Sequence, residues 1–228
     1  KLGHDVTVLA ASHKGDYNGV KLTNNDMVIH EKWDMIIVHG DAPHAQNKVH
    51  RQKLSSPVMY LLINPHSDGA VHIGMQNATW IGCATLLDVG FVIHHQFKDK
   101  IKIIKYPINP PLIESLTPKE VLVEKFGIDP HKSIVLSCGG FWTHKGFRQL
   151  ADTFRRANTQ NLQLVLTGYD WSGYDKSNES ENVKQLYLED INDVYSFMAI
   201  ADQYIMNSEA EGFGLVLLEA SYYGVPWL

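Results

Sequence analysis

Short apolar and β-branched runs recur along the chain with helical or loop-like stretches between them. A strand that is apolar at nearly every position fits only a sheet covered on both faces, and so a parallel sheet flanked by helices. In the first half these runs are DVTVLAA (5–11), DMIIVHG (34–40), PVMYLLI (57–63) and KIKIIKY (100–106). The pattern then restarts as helix TPKEVLVEKFG, strand SIVLSCGG, helix GFRQLADTFRRA, strand LQLVLTG, helix DINDVYSFMAIA, strand QYIMNS and a last helix from about Leu215 to Tyr223. Between the halves lies PINPPLIESLTP (107–118), which holds four of the nine prolines and has no strong period. This alternation predicts an α/β protein of two tandem Rossmann-like, doubly wound parallel-sheet domains. The predicted division is an N-terminal domain over 1–108, a linker over 109–118 and a C-terminal domain over 119–228. Because the chain opens at Lys1 in what reads as the end of a helix and closes just after a helix, both domains are expected to be incomplete.

Charge and composition narrow the ligand classes. Acidic residues outnumber basic ones 25 to 20, for a formal charge of −5. No broad positive field gathers nucleic acid, so an anionic ligand has to be held by a local site. The apolar run WIGCATLLDVGFVI from Trp80 is 14 residues long and contains Asp88. It falls short of the ~20 apolar residues of a spanning helix, so no transmembrane segment is expected, while peripheral contact with a membrane stays open. Cys83 and Cys138 stand 55 positions apart without CxxC spacing, which points to a reducing, cytoplasmic setting. The 12 histidines show neither HExxH nor a Cys/His ligand spacing, so no metal site is expected. His44, His94 and His95 read as loop or surface residues.

Two stretches carry candidate chemistry. In EAEGFGLVLLEASYYGVPWL (209–228), Glu219 has Leu215, Val216, Tyr222 and Tyr223 as its helical neighbours. A carboxylate on such a face needs a partner: a loop, an arginine or the hydroxyls of a ligand. Ahead of that helix, Gly212-Phe213-Gly214 leaves backbone N–H groups uncovered where the helix dipole favours an anion. In SIVLSCGGFWTHKGFRQLADTF, a strand leads through Gly139 and Gly140 to Lys145 at a helix start. There a positive charge opposes the dipole by a few tenths to ~1 kcal/mol unless an anion sits beside it. Both stretches follow strands, at the carboxyl ends where open α/β sheets bind ligands.

These residues resemble the signature of the retaining, nucleotide-sugar-dependent glycosyltransferases of family 4 (glycosyl transferases group 1), which have the GT-B fold. The E-x7-E motif falls on Glu211 and Glu219, followed by a G-x-P. KGFRQLADTFRRA is similar to the family's lysine-bearing helix, LQLVLTG to its next strand and KIKIIKYPINPPLI to its interdomain connection. The resemblance implies an N-terminal acceptor-side domain and a C-terminal domain holding a nucleoside-diphosphate sugar, with no further cofactor and no metal. By position, Glu211 would hold a donor-sugar hydroxyl near the reacting carbon and Glu219 would accept from the ribose hydroxyls. Lys145 would neutralise the departing phosphate, and Gly139, Gly140, Gly168, Gly212, Phe213, Gly214 and Leu215 would line the donor. His66, in LLINPHSDG, falls where the family often places a histidine near the sugar, and the sequence leaves a turn residue as its alternative. The family's arginine five residues before the lysine is Gly140 here.

The expected activity is metal-independent hexosyl transfer, with retention, to a glycan, lipid or small-molecule acceptor. A non-catalytic sugar-nucleotide-binding protein and a sugar-nucleotide epimerase of the same fold are the alternatives. A retaining hydrolase is disfavoured, because eight helical residues span ~12 Å whereas its carboxylate pair stands ~5 Å apart.

Overall fold

The computed structural model describes residues 3–9, 14–17, 19–39, 54–62, 69–140, 143–157, 159–168, 179–209, 211 and 213–228. They fall into two compact units, 1–105 and 106–228.

In the first unit, β1 (Thr7–Leu9), β2 (Gly15–Tyr17) and β3 (Val20–Thr23) form a sheet in the order β1-β3-β2. β3 runs parallel to β1 and antiparallel to β2. This hairpin departs from the purely parallel expectation. Its turn is closed where Asp16 Oδ1 accepts from the Gly19 amide at 2.8 Å. A second sheet holds β4 (Ile36–His39), β5 (Val58–Leu61), β6 (Trp80–Cys83) and β7 (Ile101–Ile103), parallel throughout and in sequence order. Helix α1 (Gly69–Asn77) lies between β5 and β6, and α2 (Leu86–His94) between β6 and β7.

The 14-residue apolar run is therefore a strand, a turn and a helix. Thr85 causes the break: its hydroxyl accepts from the Asp88 amide at 3.1 Å while Asp88 Oδ2 accepts from the Thr85 amide at 2.9 Å. This reciprocal capping box starts α2 and accounts for the buried Asp88. Val38, Tyr60, Met75, Ile81, Cys83 and Val92 make the core beneath.

The second unit contains, in chain order, α3 (Lys119–Phe126), β8 (Ser133–Cys138), α4 (Phe147–Ala157), β9 (Leu162–Gly168), β10 (Val183–Tyr187), α5 (Ile191–Ile200), β11 (Gln203–Tyr204) and α6 (Leu215–Tyr222). Its sheet is parallel in the order β10-β9-β8-β11. Strand alternation sends Ile134, Leu136 and Cys138 into one core, with Leu122 of α3, Phe197 of α5 and Ala220 of α6. Val135, Leu164 and Leu166 enter a second core against α4, which buries Phe147, Leu150, Ala151 and Phe154 at i, i+3, i+4 and i+7. Helices on both faces thus explain why β8 and β9 are apolar at nearly every position.

The proline-rich stretch lies on this unit. Tyr223 donates its hydroxyl hydrogen to the Pro111 carbonyl at 2.8 Å, and the Thr117 amide donates to Ser196 Oγ at 3.0 Å. Strand order sets where a ligand can sit. The chain passes outward from β8 to β9 and β10, then returns to place β11 on the far side of β8. The carboxyl ends of β8 and β11 therefore flank a topological switch point, the place where open α/β sheets bind ligands.

Candidate active site

Two loops leave that switch point. The loop after β8 passes Gly139 and Gly140 and closes in a 3-10 turn, Thr143–Lys145. Lys145 thus ends a short turn ahead of α4, which begins at Phe147, and does not itself stand in the helix. The loop after β11 carries Asn207, Ser208, Glu209 and Glu211, then Phe213 and Gly214.

The loops are tied together at three points. The Glu209 amide donates to the His144 carbonyl at 2.8 Å, and Asn207 Nδ2 donates to the Gly146 carbonyl at 3.0 Å. Lys145 Nζ donates to Glu211 Oε1 at 2.5 Å, an ion pair whose side chains are 17% and 24% exposed. Burial alone pushes the Glu211 carboxyl up. The Lys145 ammonium and the Ser208 hydroxyl, with a smaller contribution from His144, outweigh it and hold that carboxyl below the usual range. Glu211 therefore carries its charge at neutral pH, and the anion that the lysine needs is this carboxylate.

Beneath the pair lies a closed floor. The Tyr204 hydroxyl accepts from the Cys138 amide at 3.3 Å and donates to the Cys138 carbonyl at 3.2 Å, binding the ends of β11 and β8 together. Burial drives the Cys138 thiol up to about 11, so it stays protonated and unreactive. Ala220 of α6 shares a core with Cys138, so the helix that carries Glu219 packs against the same strand. Glu219 sits on α6, where the Tyr195 hydroxyl of α5 donates to its Oε1 at 2.9 Å. Burial raises the Glu219 carboxyl, and the Tyr195 bond offsets part of that rise.

Residues 118–228, which contain this arrangement, match the family described as Glycosyl transferases group 1. This stretch of the chain is similar to glycosyl transferases group 1 domains. Over 147 residues the chain is 28% identical to a trehalose synthase of Pyrococcus horikoshii, covering 54% of this chain and 35% of that protein. Over 113 residues it is 30% identical to an N-acetyl-alpha-D-glucosaminyl L-malate synthase of Bacillus anthracis, covering 46% of this chain and 29% of that one. The chain thus spans about a third of the length of these curated relatives.

Among solved structures, Anabaena HepE in complex with UDP and glucose aligns with a TM-score of 0.69 at 19% identity, over 89% of this chain and 60% of that one. A sucrose-phosphate synthase from Thermosynechococcus elongatus aligns with a TM-score of 0.65 at 15% identity, over 86% and 55%. At such identities the likeness is one of fold, the α/β architecture of the GT-B glycosyltransferases.

Within the matched residues the structure brings Gly139, Lys145 and Glu211 together: a Cβ on Gly139 would lie 3.6 Å from Lys145 Cε. Gly168 ends β9, where its carbonyl accepts from the Leu188 amide at 3.1 Å. Phe213 is 37% exposed, with its ring 5.3 Å from that of Tyr106. Gly214 holds a left-handed conformation (φ +72°) just before Leu215 opens α6, a geometry that favours glycine. Gly140 carries no side chain to add a second cation. His66, His44 and Gly212 lie outside the described residues. Among the described residues no group of three His, Cys, Asp or Glu side chains converges as a metal site, and no helix is long and apolar enough to cross a membrane.

Sequence reasoning does not find Tyr195, Ser208, Asn207 or His144. The first is 24 positions from its partner on another helix, so no local spacing could reveal it. Gly146 gives no sequence signal either, yet it sets how closely the loops approach. It has φ +67°, and a Cβ there would meet the Asn207 carbonyl oxygen at 2.3 Å and Nδ2 at 2.5 Å. Gly146→Ala is expected to destabilise the domain by ~2 kcal/mol or more through backbone strain and the displaced loop. Urea unfolding checks this; an unchanged midpoint would mean that the loops separate freely.

Proposed function

We propose that this protein transfers a hexosyl group from a nucleoside-diphosphate sugar to an acceptor hydroxyl, with retention of anomeric configuration and without a metal ion. The observation that carries the reading is the Lys145–Glu211 pair, on the two loops that follow β8 and β11 at the topological switch point. In the transfer, the bond from the anomeric carbon to the diphosphate oxygen breaks as the acceptor oxygen bonds to that carbon, and the hydroxyl proton leaves for the diphosphate. Negative charge grows on the departing phosphate and positive charge on the sugar. Lys145 is suited to offset the first and Glu211 the second, so the two act by electrostatic complementarity to the transition state. Glu219 is suited to accept from the ribose hydroxyls.

The relatives support this donor class: HepE is seen with UDP, with UDP-glucose, and with UDP and glucose. The acceptor class is as broad as the family resemblance makes it: a glycan, a lipid or a small molecule.

A panel of UDP-, GDP- and ADP-sugars tests the reading first by thermal stabilisation, since a ligand that binds only the folded state raises Tm. The stabilising donor is then incubated with candidate acceptors, with and without chelator, and the product anomer is assigned by NMR. Transfer with retention, undiminished by chelator, is expected. Free sugar as sole product would make the protein a hydrolase, an altered donor without acceptor an epimerase, and binding without turnover a binding protein.

A further inference from the structure

Tyr195 is the side chain outside the E-x7-E motif whose placement asks for a purpose beyond packing. Its hydroxyl donates to Glu219 Oε1 at 2.9 Å from a different helix. Among the described residues it is the one hydrogen-bond donor to that carboxylate. A carboxylate offers about four lone-pair sites on two oxygens, so one bond to Oε1 fixes its rotation and, among the described residues, leaves Oε2 without a protein donor. The phenol is itself held in place. Its ring lies 6.4 Å from that of Tyr223, which packs edge-on to Tyr222 at 5.0 Å and is tied through its hydroxyl to the Pro111 carbonyl. Next to it on α5, Ser196 Oγ donates to the Asn192 carbonyl at 2.7 Å and accepts from the Thr117 amide. The donor that aims Glu219 thus belongs to a braced cluster.

We infer that Tyr195 is a positioning residue that sets the preference for a ribonucleotide donor, by holding the Glu219 carboxylate in the one orientation that receives the ribose hydroxyls. The inference rests on the transferase reading, in which Glu219 faces the ribose, and assigns the discrimination to a residue that touches no substrate. A tyrosine that only satisfied a half-buried carboxylate would support ribo- and dideoxyribo-nucleotides alike.

The test is calorimetric titration of the full chain and its Tyr195→Phe variant with UDP, GDP and ADP and with their 2′,3′-dideoxy counterparts. The wild type should prefer the ribose form of its nucleotide by about tenfold, as one or two hydrogen bonds to a charged acceptor provide. In Tyr195→Phe that preference should fall to near unity while affinity for the dideoxy form is unchanged. Equal weakening of both forms, or an unaltered preference, overturns the role given to Tyr195. In a Glu219→Gln background the Tyr195→Phe change should have little further effect, and additive losses would also overturn it. If Tyr195→Phe unfolds, Tyr195→His restores a ring-borne donor; a folded histidine variant with no recovered preference counts against the inference. A wild type that binds none of the three nucleotides removes the transferase reading itself, an outcome visible before any variant is made.

Discussion

Replacing Lys145 with alanine is expected to weaken binding of a nucleoside diphosphate by roughly 10- to 100-fold, the equivalent of one lost charge-assisted hydrogen bond. The structure adds a second expectation. Because Lys145 neutralises Glu211 at 2.5 Å, its removal strands a half-buried carboxylate, and the folded domain should lose ~1–3 kcal/mol at neutral pH. The sign with pH follows from the groups involved. In the wild type the Glu211 carboxyl lies below the ordinary value of 4.5. Its stabilisation is therefore complete above that value and is lost as pH falls through the folded pKa. In the variant burial is opposed only by the Ser208 bond and the weaker His144 charge, so the carboxyl moves up and acidification costs the variant less than it costs the wild type. The gap in Tm between the two should be widest near pH 7 and narrow toward pH 4. A gap that widens on acidification would mean that Glu211 has a different partner.

Glu211→Gln is expected to move two observables in opposite directions. Turnover should fall by roughly 10²-fold, the usual effect of removing one preorganised charge from a transition state. Affinity for the free nucleoside diphosphate should rise severalfold, because in the wild type that ligand has to draw Lys145 away from the carboxylate to which it is bonded. One preparation measured by a transfer assay and by calorimetry decides the matter. Parallel losses in both would make Glu211 a structural residue and leave Lys145 without the competition proposed for it.

The strands legible in the sequence are those whose two faces are both buried. SIVLSC and LQLVLTG read as continuous apolar runs because α4 covers one side and α3, α5 and α6 the other. VKQLY, which forms β10, does not read as a strand because it carries Lys184 and Gln185, the second of them buried despite its polarity. The β2–β3 hairpin gives no apolar signal because GDY is exposed at every position. β6 is hidden inside a longer apolar run, although the T-x-x-D spacing of Thr85 and Asp88 marks where that run breaks.

At the site, each stretch is readable but not their relation. Lys145 and Glu211 stand 66 positions apart and meet only because the sheet order places β11 beside β8. That order is a property of the whole sheet, and no local spacing encodes it. The proline-rich stretch illustrates the same limit: its composition suggests a free connection, whereas Tyr223 and Ser196 fasten it to α6 and α5.

The left-handed Gly214 gives the eight-residue spacing of the two glutamates a mechanical meaning. Glu211 is fixed by its loop and Glu219 by its place on α6, with Gly214 as the joint from which the helix starts. Since each helical residue advances by about 100° and ~1.5 Å, the spacing acts as an angular setting. One residue inserted between Gly214 and Glu219 would swing the carboxylate about a quarter-turn round the helix axis, off Tyr195, while leaving the Lys145–Glu211 pair where it is. The two ends of the motif can therefore be put out of phase without altering either glutamate.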